Sequence, residues 1–130
     1  MTPFGLLLTL SGLSQREAAA FLRLSPTSID KMSRGHRAAP PGVLAEMCAL
    51  IARQQAAADE ALDIIEEARP PEVEIGFPAD DHEANVLGWP CVSAWQAMAA
   101  RVVAEASVPV RLVPRGSTVG TARAADEHGA

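Results

Sequence analysis

Residues 12–40 read GLSQREAAAFLRLSPTSIDKMSRGHRAAP, and their punctuation decides how the chain folds. Ser14 stands three residues before Glu17, the spacing at which a hydroxyl and a carboxylate satisfy each other's backbone N–H groups at a helix start. Ala18, Phe21 and Leu22 then repeat at the i, i+3, i+4 spacing of one buried face. Arg23 and Leu24 make a turn. Ser25 caps a second helix, and Pro26 fills its first position, where a missing N–H costs nothing. Ile29 and Met32 face inward, three apart. Gly35 supplies a left-handed residue to end the helix, and Pro40-Pro41 break the chain before the next element. The stretch predicts two short helices joined by a tight turn. The second presents Thr27, Ser28, Asp30, Lys31 and Arg34 outward, and Lys31 is the only lysine in the chain.

Working outward, residues 1–11 predict a helix with Phe4, Leu7 and Leu8 toward the core and Leu10 as a further candidate; Gly12 ends it. Residues 43–68 predict a long helical segment. Leu44, Met47, Cys48 and Ile51 form one apolar stripe, and Leu62, Ile64 and Ile65 follow. The stripe fades near Gln55, which leaves open one helix or two. Pro70-Pro71 is the clearest boundary. Beyond it, residues 72–77 alternate polar and apolar as a half-exposed strand does. Residues 78–90 read as a loop, and residues 91–106 as a helix with Val92, Trp95, Ala99 and Val102 on one face. Residues 108–113 read as a second short strand. The pattern divides the chain into residues 1–69, residues 70–114 and a flexible tail at 115–130.

The chain has 130 residues, 48% apolar and 21% charged, the balance of a globular domain. Tyrosine is absent and aromatics are 4%, so the core must be aliphatic. Cys48 and Cys91 lack metal-ligand spacing, which favours a reduced chain over a zinc finger or a disulfide scaffold. No apolar run approaches a membrane span of about 20 residues, and residues 4–10 lack the basic flank of a signal peptide. A cytoplasmic protein is expected. The net charge of −5 is uneven. Residues 1–55 carry six Lys/Arg against three acids, and residues 56–130 carry five arginines against thirteen acids. A basic first half and an acidic second half favour a nucleic-acid face on the N-terminal part.

With these features in hand, residues 12–40 resemble the helix-turn-helix of the lambda-repressor-like, XRE-type transcriptional regulators. Gly12-Leu13-Ser14-Gln15 matches the opening of that family's second helix, Ala19 its small crossing residue and Leu22 the next core site. Leu24-Ser25-Pro26-Thr27-Ser28-Ile29 matches the turn and the start of the recognition helix, and Gly35 and Pro40 the closing punctuation. Met32 stands where the family often has an aromatic, and Ser33 where it often has a glutamate, so an ion pair used by many members is missing. The resemblance covers about 50 residues with the flanking helices and does not extend to residues 70–130. The fold class it implies is mainly α: an N-terminal lambda-repressor-like helix-turn-helix bundle, then a small α+β dimerisation element of two short strands and one helix.

The resemblance implies roles for particular residues. Thr27, Ser28 and Lys31 would face base edges, with Lys31 directed to guanine O6/N7. Gln15, Arg34, His36 and Arg37 would hold the phosphate backbone and set register. Asp30 would accept from cytosine N4 or repel incorrect docking. Partners would be double-stranded DNA and a second copy of the chain, since one module reaches a single half-site. The two strands are too short for a stable sheet on their own. They would pair with a second chain, or with each other across the Trp95 helix.

An alternative reading from another class is an antitoxin-type interaction protein whose acidic C-terminal half neutralises a basic, toxin-like partner while its helix-turn-helix regulates its own operon. A third is a regulator with an effector near Trp89 and Trp95. Asp80-Asp81-His82-Glu83 is read as a solvated acidic loop, not a metal site, because adjacent loop residues rarely all reach one ion. Cys91, near a helix start, is open to a redox reading if its pKa is lowered, but no partner thiol lies within sequence reach. No catalytic constellation, metal site or cofactor motif is recognisable, so no enzyme is expected.

Overall fold

A computed structural model describes residues 1–117; of the expected tail, residues 118–130 lie outside the described residues. The protein is mainly helical, with one small sheet of two parallel strands. Four helices come first: α1 (Pro3–Ser11), α2 (Gln15–Leu22), α3 (Pro26–Arg34) and α4 (Pro41–Ala68). Then follow β1 (Val73–Phe77), α5 (Asp81–Val86), α6 (Val92–Glu105), β2 (Val110–Pro114) and a single 3₁₀ turn at Arg115–Ser117. Among the described residues, no helix is long and apolar enough to cross a membrane.

Helices α2 and α3 begin and end where their punctuation predicts. Helix α1 ends at Gly12, φ +79°, as expected, but starts at Pro3 instead of residue 1, because Thr2 caps it by accepting from the Gly5 N–H at 3.0 Å. Ser14 and Glu17 form the reciprocal capping box of α2. Ser25 accepts from the Ser28 N–H at 3.1 Å, and Gly35 closes α3 at φ +83°.

One open question is answered and two expectations change. The segment 43–68 belongs to one unbroken helix, α4. Its apolar stripe fades because the inward residue at the midpoint is polar: Gln54 is fully buried, with Ala58 one turn on. Cys48 and Ile64, read as part of the stripe, are exposed instead, and so is Leu10 of α1. Residues 78–90 are not all loop, since Asp80 caps the short helix α5 through the Glu83 N–H at 2.9 Å. That cap is an Asp three residues before a Glu, the same signal that marks α2.

The two strands pair with each other and run parallel, with Val73 opposite Val110 and Ile75 opposite Leu112. Parallel neighbours need a crossover, and α5 and α6 supply it. One continuous cluster of buried side chains links Phe4, Leu8, Ile29, Met32, Met47 and Leu50 with Trp89, Trp95 and Ala99. Residues on both sides of Pro70-Pro71 therefore share a core. A smaller cluster of Ala58, Ile65 and Val102 lies beneath Val73 and Ile75.

Candidate nucleic-acid interface

The exposed face of α3 depends on how α2 and α1 hold it. The turn between α2 and α3 is short because Arg23 adopts a left-handed conformation at φ +58°. For a side chain with a Cβ this costs roughly 1–2 kcal/mol. The Leu24 N–H donates to the Ala19 carbonyl at 3.0 Å and completes the α2 end. At the other end of α3, the Thr2 hydroxyl donates to the Ser33 carbonyl at 3.0 Å, so one side chain caps α1 and tethers the α3 C-terminus. Nothing in the local pattern of α3 signals Thr2, because the partners are 31 residues apart.

On α3, Ile29 and Met32 are buried against the bundle. Thr27, Lys31 and Arg34 are exposed at i, i+4 and i+7, the spacing of a single helix stripe, on the opposite side. Ser28 lies on the flank and is half-buried. Its hydroxyl oxygen accepts from Arg37 Nη1 at 3.0 Å and from the Ser25 hydroxyl at 3.0 Å. Arg37 thus reaches back nine residues to the start of the helix it follows. Arg34 Nε pairs with Asp30 at 3.0 Å, and both side chains are open to solvent. His36 is exposed in the loop after Gly35, and its backbone N–H donates to the Lys31 carbonyl at 2.9 Å. Gln15 is exposed as the first residue of α2, and among the described residues its side chain forms no hydrogen bond to α3. The structure therefore joins Ser28 to Arg37 and lines up Thr27, Lys31 and Arg34; it does not bring Gln15 or His36 side chains into that set.

Charge favours an anionic partner here. Residues 12–40 carry Arg16, Arg23, Lys31, Arg34 and Arg37 against Glu17 and Asp30 only. Both acids are engaged, Asp30 by Arg34 and Glu17 by its cap. Among the described residues, Lys31, Arg16 and Arg23 form no ion pair. Arg16 and Arg23 are exposed cations that pattern matching overlooked, although both were visible in the sequence.

Glu17 ties this region to the second half of the chain. One carboxylate oxygen accepts from the Ser14 N–H at 2.9 Å, and the other accepts from the Ser93 hydroxyl on α6 at 2.9 Å. Partial burial alone would raise the Glu17 pKa, but the hydrogen bonds from Ser14, Ser93 and Cys91 outweigh it and hold the group below its ordinary 4.5. A carboxyl whose folded pKa is depressed adds stability above its unfolded value and loses it as pH falls through the folded one. Glu17→Gln should therefore flatten the acid limb of the stability curve. Urea titrations from about pH 6 to pH 3 would show it, and an unchanged slope would remove Glu17 from that limb.

The remaining candidates resolve as structural parts. Asp81 accepts from the Val92 N–H at 2.9 Å, and Asp80 caps α5. Among the described residues, no group of three or more His, Cys, Asp and Glu side chains is arranged to hold a metal ion. Cys91 is the cap residue of α6 and is buried. Burial, with the Glu17 and Asp81 carboxylates adding to it, pushes its thiol up to about 11, the reverse of an activated cysteine. Trp89 and Trp95 are both buried, and the Arg53 guanidinium lies 4.8 Å from the Trp89 ring centre. No protein-family model matches the chain, and no curated protein matches it.

Proposed function

We propose that the chain is a sequence-specific DNA-binding transcriptional regulator, a homodimeric repressor of an inverted repeat. In this reading α2 and α3 form a lambda-repressor-like helix-turn-helix within the α1–α4 bundle, and α3 enters the major groove. The observation that carries it is the single stripe of Thr27, Lys31 and Arg34, exposed opposite Ile29 and Met32. Thr27 and Lys31 read base edges, Ser28 joins them at the flank, and Arg34, His36, Arg37 and Gln15 lie against phosphates. Residues 72–113 join the two subunits in a cytoplasmic dimer.

Lys31→Ala is expected to weaken specific binding by about 1–3 kcal/mol with an unchanged circular dichroism spectrum. Arg37→Ala, in contrast, lowers the salt slope by about 0.9 with little change in sequence preference. A titration against the DNA upstream of the protein's own gene, at several salt concentrations, measures both. Absence of binding at low salt overturns the reading.

The exposed Asp59, Glu60, Asp63 and Glu67 on α4 favour one second reading, an antitoxin-type protein that holds a basic partner. Co-purification of a small basic protein with the full chain would support it.

A further inference from the structure

The two-stranded sheet has an unfinished side. β2 pairs only with β1 among the described residues, so one row of its backbone donors and acceptors faces outward. Edge strands are normally guarded by charge. Here Arg111, the one charged residue of β2, is already paired with Glu72 and Glu74 of its own chain. Pro109 and Pro114 flank Val110 to Val113, which limits any added pairing to this short stretch.

The same side carries an apolar face. Leu112 is 47% exposed and Val103 49% exposed, and the two lie side by side. They border a hollow of about 310 Å³ with Trp95, Gln96, Ala100 and Ala104. On the α6 wheel, Gln96, Ala100, Val103 and Ala104 share the solvent side, and the charged Arg101 and Glu105 fall elsewhere. An uncharged face gives neither an acidic nor a basic partner anything to pair with. It matches another uncharged face.

We propose that a second copy of this chain completes the sheet, its β2 running antiparallel to this one about a two-fold axis near Leu112. This gives a four-stranded sheet in the order β1-β2-β2-β1, with both α6 helices on one side. Spacing supports that occupant. Val102 of α6 belongs to the cluster against which Val73 and Ile75 of β1 pack, and α6 lines the hollow beside Leu112 of β2. In the proposed dimer the two α6 helices would then lie about two strand spacings, roughly 9.6 Å, apart. Packed helices sit about 8–10 Å apart, and the near end of that range needs small residues between them. Ala100 and Ala104 are such residues, and Leu112 of each copy meets its equivalent at the axis. Leu112 and Val103 alone fall short of the roughly 800 Å² per partner of a stable interface. The proposed dimer therefore uses the length of α6 and the edge of β2 together. The assignment deepens the dimer of the function proposed above and does not depend on DNA binding.

The test is the mass of the full chain by sedimentation, with circular dichroism on every variant. The wild type is expected to be a dimer. Val103→Arg, on an exposed helix position that leaves the core untouched, is expected to weaken dimerisation about 100-fold or more by setting like charges together. Leu112→Cys in a Cys48→Ser background is expected to form a disulfide-linked dimer under mild oxidation. Directly opposed antiparallel residues have Cα atoms about 4.5–5.5 Å apart, within disulfide reach. A monomeric wild type overturns the proposal, as does a dimer that survives Val103→Arg unchanged or a Leu112→Cys variant that fails to cross-link. A dimer that behaves as expected but binds no DNA supports the interface and overturns the regulator reading.

Discussion

Gln54→Ala is expected to lower the unfolding free energy by about 3–4 kcal/mol, among the largest effects of any single substitution in this chain. Gln54 lies in the middle of α4 and is fully buried. Its amide nitrogen donates to the Ser11 carbonyl at 2.9 Å and to the Ala94 carbonyl at 3.0 Å. The first is a helix-end acceptor of α1, where the intrahelical ladder supplies no donor. The second lies in the first turn of α6, so one side chain pins α4 to an element on either side of Pro70-Pro71. Truncation removes both bonds and leaves a cavity. Gln54→Met keeps the volume and removes both donors together with the buried Oε1, which has no hydrogen-bond partner among the described residues, at a cost of about 1–3 kcal/mol. The difference between the two variants, measured by urea denaturation, separates packing from hydrogen bonding. A loss below about 1 kcal/mol for Gln54→Ala would show that this join is carried by apolar packing alone.

Gly12→Ala is expected to cost about 2–4 kcal/mol, from two sources that act together. Gly12 has φ +79°, a conformation that any residue with a Cβ adopts at a penalty. A methyl group there would also lie 3.0 Å from the Ala97 Cβ and 3.1 Å from the Ser93 carbonyl oxygen. The backbone of α6 cannot retreat without disturbing Gln54 and Glu17, which hold the same turn through Ala94 and Ser93. Gly42→Ala is the internal control, because a methyl at that position meets nothing within 4 Å. Thermal unfolding of both variants checks the prediction. Equal midpoints for the two would mean that α1 and α6 are not closely seated at Gly12.

These two positions show why the halves of the molecule act as one body. Gly12 was legible as a helix stop, because a glycine after an apolar run is a local signal. That it also admits α6 was not legible, since the partner lies more than 80 residues away in sequence. In the sequence, Gln54 is marked only by the fading of the apolar stripe near Gln55. A buried polar residue has no periodic signature, and only its two acceptors reveal why the helix continues through it. Glu17 was legible as the closing residue of a capping box, but its second oxygen on Ser93 was not. The same holds for the candidate interface. Ser25, Pro26, Ile29, Met32 and Gly35 mark α3 and its inward side within eleven residues of chain. The bond of Thr2 to Ser33 arises only when distant segments meet, and that of Ser28 to Arg37 only when the chain after Gly35 folds back along α3. Arg23 is a local departure: glycine is favoured at φ +58°, and an arginine there conceals the left-handed turn from pattern reading.

By itself, the sequence determined the positions of α1, α2, α3 and α6, an outward set of Thr27, Ser28, Asp30, Lys31 and Arg34 that the structure narrows to the exposed Thr27, Lys31 and Arg34, and the uneven charge of the two halves. Each depends on caps, turn residues or a repeat within a few residues, and short-range sterics and hydrogen bonding act at that distance. Tertiary structure alone decided that α4 is unbroken, that β1 and β2 run parallel, that Cys91 is buried and protonated, and that the chain after Pro70-Pro71 shares a core with the chain before it. Those outcomes depend on which surfaces exclude water together, and burial is a property of the packed molecule, not of any one segment.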